Sequence, residues 1–322
     1  MASVTIVGSF NVDHVWHCDT LPAPGATLAG RYASGPGGKG FNQAIAAGRA
    51  GAEAVFVCAL GHDAGGELAR ELAHADGLDL RALASTEPTG TAGIYVDARG
   101  RNCIVIGAGA NAALDTAFVS TNAGSISTSG VVLAQLESPL DAITEAFRLT
   151  RDGGTRTLLN PAPANATSSA ELLGMADAIT PNETEFAALL ARHVGERIEA
   201  DDVAAMEGSR LHAACRQLLP HGSVIITLGS AGVFVSHAED ALHGDAKAYY
   251  RIASENVEAI DTTGAGDAFS GALAASWART PDAAFGEHLR FANRFAALST
   301  ERRGAAVSMP RLTELEARFG SL

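Results

Sequence analysis

The sequence predicts an α/β fold, in which helices cover both faces of a mostly parallel sheet and a small second sheet stands beside it. Two observations carry this prediction. Short apolar runs alternate with amphipathic helical patterns, and two segments interrupt that alternation. The chain of 322 residues is long enough for one large domain or two smaller ones.

The predicted elements of the main layer follow the order expected of βαβ units. Strands are expected at residues 4–7, 54–60, 131–136, 157–159, 178–180 and 224–228. Helices are expected between them at residues 41–49, 66–75, 139–151, 183–191 and 209–219. In the third helix Leu140, Ile143 and Phe147 lie on one face, as in a helix that packs on a sheet.

The two interrupting segments are residues 14–36, rich in Gly, Pro and Ala, and residues 90–106. The second contains two apolar runs around Asp97-Ala-Arg-Gly-Arg, which predicts a β-hairpin. If the first segment pairs with this hairpin, the two form a lid that excludes water from a reaction. The alternative is a pair of extra edge strands on the main sheet.

The charge and the cysteines restrict the partners and the compartment. A formal net charge of −13 argues against nucleic acid and anionic membranes, so an anionic ligand needs local backbone donors or metal ions. The 4 cysteines are far apart and form no CxxC pair, which favours free thiols in a reducing compartment. Neither a signal peptide nor a membrane-length apolar run is visible, so we expect a cytoplasmic protein.

The most informative segment is Asp-Thr-Thr-Gly-Ala-Gly-Asp at residues 261–267, placed between a strand-like run at 257–260 and an apolar helix. Gly264 and Gly266 allow a tight turn that directs N–H groups at one point. Because a helix start carries partial positive charge, this segment predicts an anion site such as a phosphate pocket. Asp267 is then either a helix cap or a catalytic base.

A second glycine cluster, Gly-Pro-Gly-Gly-Lys-Gly-Phe-Asn at residues 35–42, also precedes a helix. It is not a P-loop, because that motif requires Gly at position 33 and Ser or Thr at position 40, where this chain has Ala and Gly. The remaining interpretations are a backbone cradle for a polyol, with Lys39 and Asn42 as donors, or a plain turn.

Polar side chains also follow other predicted strands. Asn11 and Asp13 come after the first strand, and Glu137 follows the strand at 131–136. Ligands of open α/β sheets bind at the carboxyl ends of strands, so these groups could hold sugar hydroxyls; turn and helix caps are the alternative. Asn182 and Glu185 open a helix, where they form either a capping box or a Mg²⁺ site, direct or through water.

Together these motifs resemble the ribokinase branch of the PfkB-type carbohydrate kinases from residue 4 to about residue 310. The resemblance is carried by GGKGFN at 37–42 and DTTGAGD at 261–267. Five further segments narrow the resemblance from the whole family to its ribokinase branch: Gly-Ser-Phe-Asn-Val-Asp-His, Gln-Leu-Glu-Ser, Asn-Pro-Ala-Pro-Ala, Thr-Pro-Asn-Glu-Thr-Glu and Ala-Gly-Ala-Asn-Ala-Ala-Leu. It implies a single domain over residues 1–322, built as a three-layer sandwich with a small β-sheet lid, and a homodimer formed through that lid.

The resemblance also implies roles for individual residues. The pentose would be bound by Asn11, Asp13, Gly38, Lys39, Asn42 and Glu137. Asp267 would be the catalytic base beside an anion hole at Gly264, Ala265 and Gly266. ATP would be contacted by Asn182, Thr227, Gly229, Ser230, Gly232, Gly266 and Asn293. A monovalent cation, usually K⁺, would be held by Asp261, Thr263, Ser299, Arg302, Gly304 and Ser308, several of them through backbone carbonyls.

The reaction implied is phosphoryl transfer from MgATP to the 5-hydroxyl of D-ribose. Gly93 lies in the lid, and Phe41 lies in the glycine-rich segment at residues 35–42, which we call the sugar loop. Both differ from the residues common in the family, and both bear on sugar selectivity. The alternatives are a related kinase with another pentose, a ketohexose or a nucleoside as acceptor, and a sensor of sugar or nucleotide that does not catalyse a reaction. A dinucleotide-dependent dehydrogenase is disfavoured, because no GxGxxG follows the first strand.

Overall fold

The computed structural model describes residues 3–151 and 153–320; residues 1–2, 152 and 321–322 of the expected domain lie outside this description. Within the described residues, thirteen strands form two sheets. The strands are β1 (Ser3–Val7), β2 (Asn11–His17), β3 (Arg31–Gly37), β4 (Glu53–Gly61), β5 (Asp79–Ser85), β6 (Gly90–Val96), β7 (Asn102–Gly107), β8 (Val131–Gln135), β9 (Arg156–Asn160), β10 (Ala178–Ile179), β11 (Ser223–Thr227), β12 (Val233–Ser236) and β13 (Tyr249–Ile252).

The helices alternate with the strands along most of the chain. They are α1 (Lys39–Arg49), α2 (Ala64–Ala75), α3 (Thr116–Thr121), α4 (Ala123–Thr128), α5 (Leu140–Arg148), α6 (Ala170–Gly174), α7 (Glu183–Leu189), α8 (Ala200–Val203), α9 (Gly208–Leu218), α10 (Ala265–Arg279), α11 (Phe285–Ser299) and α12 (Leu312–Phe319). Short 3₁₀ turns at Gly109–Ala113, Gly229–Ala231 and Ala306–Ser308 and a π-helical turn at Leu190–Val194 complete the description. None of the helices within these described ranges has the length and apolar character needed to cross a membrane.

The main sheet has nine strands in the order β13-β12-β11-β10-β9-β8-β1-β4-β5. The seven strands β11, β10, β9, β8, β1, β4 and β5 run parallel, whereas β12 pairs antiparallel with both neighbours. The predicted mostly parallel sheet is therefore confirmed. Because the six predicted strands lie in the middle of this sheet, their carboxyl ends meet along one edge, where α/β proteins bind ligands.

Two hydrophobic cores lie on the two faces of the main sheet and complete the three layers. One contains the apolar faces of α1, α10 and α11, including Phe269 and Phe295. The other contains those of α5, α7 and α9, including Phe147 and Phe186. Phe41, predicted to lie in the sugar loop, is instead buried in the first core with its ring 5.0 Å from that of Phe10.

Strands β2, β3, β6 and β7 form a separate sheet, which we call the small sheet, in the order β3-β2-β6-β7. Its strands overlap the two segments that interrupt the sequence pattern, although β2 begins at Asn11, three residues before the first segment, and β6 and β7 form the predicted antiparallel hairpin. The prediction of a second sheet is confirmed, and the alternative of added edge strands on the main sheet is excluded. All six residues of β7 are exposed.

One predicted strand is wrong. Residues 257–260 form no strand, although the run looks apolar. The N–H groups of Ile260 and Asp261 both donate to the carbonyl of Thr300, at 2.8 and 3.0 Å, so they are not available to a sheet. The side chain of Ile260 is 59% exposed, so its apolar character reflects no core position. Strands β5, β12 and β13 have no counterpart in the prediction, because they are edge strands or very short.

Candidate active site

The segment at 261–267 forms the turn that begins α10. Gly264 precedes the helix with φ 77°, and a Cβ atom there would lie 2.8 Å from the Cβ of Ala305. Glycine is therefore required twice, by the left-handed backbone and by the close approach of a second loop. Since the first N–H groups of a helix have no partner within it, this turn presents donors to an anion.

Asp267 lies in the first turn of α10, and its side chain reaches the other glycine-rich segment. Its carboxylate is 6% exposed. The amide Nδ2 of Asn42 donates to its Oδ2 at 2.9 Å, and the amide Nε2 of Gln43 donates to its Oδ1, also at 2.9 Å. The two glycine-rich motifs, separated by more than 200 residues, thus meet at one point.

The start of α1 packs directly on the end of β1. Gly38 has φ 85°, and a Cβ atom there would lie 2.7 Å from the backbone nitrogen of Asn11. The N–H of Lys39 donates to Oε2 of Glu137 at 3.0 Å, and the hydroxyl of Ser9 donates to the same oxygen at 2.6 Å. Glu137, at the end of β8, therefore fixes the helix start against β1.

Asn11 and Asp13 stand two residues apart on β2, so their side chains lie on the same face of the strand, as the sequence predicts. The Oδ1 of Asn11 accepts a hydrogen bond of 2.9 Å from Asn111, whose amide also bonds the N–H and the carbonyl of Phe10. Asn11, Asn111 and Glu137 line a cavity of about 240 Å³. Ile106 of the small sheet and Asn165 also line this cavity.

Charged groups concentrate at this point of the sheet. Burial, together with the carboxylates of Glu137 and Asp267, raises the pKa of Asp13 to about 7. Burial alone would lower the pKa of Lys39, but Asp267, Glu137 and Glu185 raise it above its ordinary value. Such clustering of perturbed groups at strand ends is typical of functional sites.

Glu185 closes the site on the side of α7. Burial raises its pKa against the opposing effect of the N–H of Asn182 and the charge of Lys39. Asn182 and Glu185 form a reciprocal capping box, with hydrogen bonds of 2.9 Å in both directions. The capping interpretation is thus confirmed, and one carboxylate oxygen of Glu185 stays outside that pair of bonds.

The residues expected at a nucleotide lie on the neighbouring strand ends. Asn182 pairs with Thr227 in an isolated parallel bridge, and Gly229 and Ser230 form an exposed 3₁₀ turn after β11. Gly232 has φ 85°. Asn293, on α11, donates its side-chain amide to the carbonyl of Ala253 at 2.8 Å. Gly266, the remaining position of this set, lies in the first turn of α10.

Asp261 links the turn before α10 to the loop after α11. Its Oδ1 accepts from the N–H of Thr263 at 2.9 Å and from the hydroxyl of Thr263 at 2.6 Å, and its Oδ2 accepts from the N–H of Gly304 at 2.9 Å. Although burial opposes it, these hydrogen bonds lower the pKa of Asp261. Arg302 directs its guanidinium at Glu314, and the hydroxyls of Ser299 and Ser308 donate to backbone carbonyls.

Sequence reasoning missed four amide side chains that tie the site together. Gln43, Asn111, Gln135 and Asn160 are all buried and hydrogen-bonded to residues of the site or to each other. The signal was present, because all four stand inside or beside the motifs that carry the family resemblance. Each amide was overlooked because an isolated Asn or Gln gives no periodic pattern.

Comparison with known proteins agrees with this geometry. The family described as pfkB family carbohydrate kinase matches residues 1–312. Ribokinase of Haemophilus influenzae is 37% identical over 316 residues, which are 97% of this chain and 96% of the relative.

Solved structures show the same architecture. Ribokinase of Giardia lamblia superposes with a TM-score of 0.85 at 28% identity, covering 98% of both chains. Arabidopsis thaliana ribokinase, solved with ribose and ATP, gives a TM-score of 0.83 at 28% identity, covering 98% of this chain and 97% of that one. The fold, the meeting of the two glycine-rich motifs and these similarities place the chain in the pfkB family of carbohydrate kinases.

Proposed function

We propose that this protein is an ATP-dependent ribokinase, which transfers the γ-phosphoryl group to the 5-hydroxyl of D-ribose and releases ribose 5-phosphate and ADP. The observation that carries the proposal is the 2.9 Å contact between Asn42 of the sugar loop and Asp267. Asp267 belongs to the turn at residues 261–267, which we call the anion turn. A sugar held by the first segment would then lie beside a phosphoryl group held by the second. The similarity to known ribokinases selects ribose among the sugars.

The pentose would bind between β2, the start of α1 and the end of β8. Asp13, Lys39, Asn42 and Glu137 supply charged and amide groups there, with Asn11 and the backbone of Gly38 beside them. Oδ1 of Asn42 is buried without a hydrogen-bond partner, which supports a ligand hydroxyl at this position. A site of this kind rejects analogues that lack a hydroxyl, because its own buried groups would then stay unpaired.

Asp267 would accept the proton of the sugar hydroxyl as that oxygen attacks phosphorus. The backbone N–H groups of Gly264, Ala265, Gly266 and Asp267 would stabilise the charge on the phosphoryl oxygens. Phosphoryl transfer depends mainly on positioning and on such charge stabilisation. Loss of one donor of this type typically lowers turnover by ~10²–10³-fold.

ATP would lie along Asn182, Thr227, Gly229, Ser230, Gly232, Gly266 and Asn293. The described residues contain no group of three or more His, Cys, Asp and Glu positioned for a metal. This fits Mg²⁺, which proteins usually hold through one or two carboxylates and substrate phosphates. Glu185, with an oxygen outside its capping bond, would contact the ion directly or through water, and the ion would neutralise phosphate charge.

The loops joined by Asp261 fit a monovalent cation such as K⁺. A carboxylate, a threonine hydroxyl and loop carbonyls provide oxygen ligands, which hard cations prefer. Asp261, Thr263, Ser299, Arg302, Gly304 and Ser308 would form this site. Their part in the reaction would be to hold the anion turn in shape.

We propose that the small sheet is a lid over the sugar and that two copies of the chain associate through it. Edge strand β7 exposes Ile104, Val105 and Ile106 at 50, 66 and 48%. An exposed apolar edge strand normally needs a strand to pair with and a surface to cover its apolar side chains, and a second copy of the chain would provide both. A cytoplasmic location stays a prediction that rests on the free thiols.

The nearest alternative keeps the reaction and changes the acceptor to another pentose, a ketohexose or a nucleoside. Asn165 lines the cavity together with Asn11 and Glu137, so it would be a further polar contact for such an acceptor. A sensor of sugar or nucleotide that does not catalyse a reaction is the second alternative. The contact of Asp267 with the sugar loop argues against it, since a sensor needs no base there.

An ADP-release assay over pentoses, hexoses and nucleosides, with and without K⁺, tests the proposal. D-ribose should give the highest kcat/KM. Asp267→Asn should fold normally and lose at least ~10²-fold in turnover, the low end for general-base catalysis. Asp141→Asn, in the first turn of α5, is the matched control and should keep full activity. Near-normal turnover of Asp267→Asn, or ribose and ATP binding without ADP release, would contradict the proposal.

A further inference from the structure

The carboxylate of Asp267 is held on both sides by two consecutive residues of α1. Asn42 bonds one oxygen and Gln43 bonds the other, each at 2.9 Å. The two residues differ in what else they can reach. Asn42 has a free acceptor atom, whereas Gln43 is fully buried at 0% exposure. Gln43 therefore cannot contact a substrate in the cleft.

The side-chain amide of Gln43 has a fixed orientation. Its Oε1 accepts a hydrogen bond of 2.6 Å from Nε2 of Gln135, and its Nε2 also donates to Oδ1 of Asn160 at 3.0 Å. A flipped amide would place its carbonyl oxygen against the carboxylate of Asp267 and its NH₂ group against that of Gln135. Its carbonyl oxygen would also face Oδ1 of Asn160, so three unfavourable contacts in a buried site would replace three hydrogen bonds.

The orientation of Asn160 is fixed in the same way. Its Nδ2 donates to the carbonyl of Thr180 at 2.8 Å, so its Oδ1 faces Gln43. The network thus connects α1, β8, β9 and the end of β10 to the first turn of α10. Because its members come from four strand or helix ends of the rigid central layer, it is anchored independently of the sugar and the nucleotide.

We propose that Gln43, oriented by Gln135 and Asn160, is a positioning residue that holds the Asp267 carboxylate for phosphoryl transfer; this inference rests on the proposed function. Asn42 has to serve the sugar through Oδ1 as well as Asp267 through Nδ2, whereas Gln43 has no second role toward a substrate. Gln43 keeps the second oxygen in place throughout. The anchor is a neutral amide, which orients the carboxylate without supplying a proton to it.

The test compares two substitutions of Gln43 in the ADP-release assay. Gln43→Met keeps the size and removes the donor, and Gln43→Glu keeps the shape and replaces the donor with a carboxyl oxygen. We expect kcat to fall at least ~10-fold in both, with the KM for ribose and for ATP changed less than about threefold, because misplacing a reacting group lowers turnover rather than binding.

A matched control separates positioning from packing. Ser270, on α10 one turn beyond Asp267, is fully buried and its hydroxyl lies 2.9 Å from that of Thr180. Ser270→Ala removes a buried hydrogen bond of the same region without touching Asp267. Thermal denaturation should show a loss of stability in Ser270→Ala as in Gln43→Met, whereas kcat should fall only in Gln43→Met.

Gln135→Met provides a second variant that is farther from the reacting atoms. It removes the hydrogen bond that anchors Oε1 of Gln43, so kcat should fall by about three- to tenfold, and the double variant should lose less than the product of the two single losses. Turnover within twofold of wild type in Gln43→Met, or a rise in KM with unchanged kcat, would overturn the positioning role alone. A wild-type protein without turnover on any sugar would overturn the proposed function and this inference with it.

Discussion

At the scale of single residues, Asp13 is the carboxyl group whose pKa the surrounding residues change strongly. Its pKa is raised to about 7 by burial and by the carboxylates of Glu137 and Asp267. The folded protein therefore retains a proton that the unfolded chain releases above pH 3.8. The contribution of Asp13 to stability is fully present below its pKa in the unfolded chain and is lost as the pH rises toward 7. The reason is that ionisation of this carboxyl is unfavourable only in the folded state.

This environment predicts a conflict between stability and substrate binding. Asp13→Asn should raise the free energy of unfolding at pH 8, by at most about 4 kcal/mol from the shift in pKa, while weakening ribose binding. The stability gain should shrink as the pH is lowered from 8 to 5. Denaturation curves at the two pH values and calorimetry with ribose measure both effects.

The control for Asp13 is Asp19→Asn, an exposed carboxyl on the loop after β2. It should change neither stability nor ribose affinity. An Asp13→Asn protein that is less stable than wild type at pH 8, or that binds ribose unchanged, would contradict the prediction.

At the scale of elements, α1 connects two parts of the site. Its first turn carries Lys39, Asn42 and Gln43, and its last residue, Arg49, contacts the loop after α11. The guanidinium of Arg49 donates to the carbonyl of Met309 at 2.8 Å and forms two hydrogen bonds of 2.8 Å with Asp76. The helix thereby joins the sugar loop to the loop that contains Gly304 and Ser308.

Arg49→Met should loosen that loop. The free energy of unfolding should fall by about 1–3 kcal/mol, since Asp76 keeps only its contact with Arg311 at 3.2 Å. If the loop holds K⁺, the concentration of KCl for half-maximal activity should rise at least about threefold. ADP release measured against KCl, together with denaturation curves, tests both expectations.

Arg148→Met removes an exposed ion pair with Glu145 and serves as the comparison. Exposed pairs contribute little, so stability should change by less than about 1 kcal/mol and the KCl dependence should stay the same. A loss of stability in Arg49→Met with an unaltered KCl dependence would leave the cation site without support from α1.

At the scale of the whole molecule, the small sheet stands out because its edge strand β7 exposes apolar side chains. Trp16 stacks on Tyr95 with ring centroids 5.2 Å apart and contacts Tyr32 at 5.3 Å, so one of its faces presents aromatic rings. Ile104 and Ile106 alternate onto the opposite face of β7, with Val105 between them. Apolar groups on both faces of an exposed edge favour a partner sheet.

Val105→Asp should convert a dimer to a monomer, because it places a charge in the expected interface. Val307→Asp is the matched control, since Val307 is 55% exposed and lies outside the small sheet. Light scattering coupled to gel filtration measures the mass of each protein. A monomeric wild type, or a Val105→Asp protein that stays dimeric, would exclude association through this sheet.

The sequence predicts much of this architecture because its signals are local. Apolar runs and amphipathic helices identified the six middle strands and five of the helices, and the glycines identified the two turns of the site. Strands β5 and β13 were missed because edge strands are partly exposed and carry weaker patterns, and β12 was missed because a run of four residues is too short to show a pattern. Residues 257–260 were wrongly taken as a strand, since only the fold shows that Thr300 receives their hydrogen bonds.

The sequence alone determined which side chains end the strands, where glycine was required and which family the motifs resemble. Only the tertiary structure decided that Asp267 meets Asn42 and Gln43, and that Gln135 and Asn160 fix the amide between them. The physical reason is distance along the chain. These hydrogen bonds join residues 92 to 225 positions apart, and a pairing over such separations leaves no periodicity in the sequence.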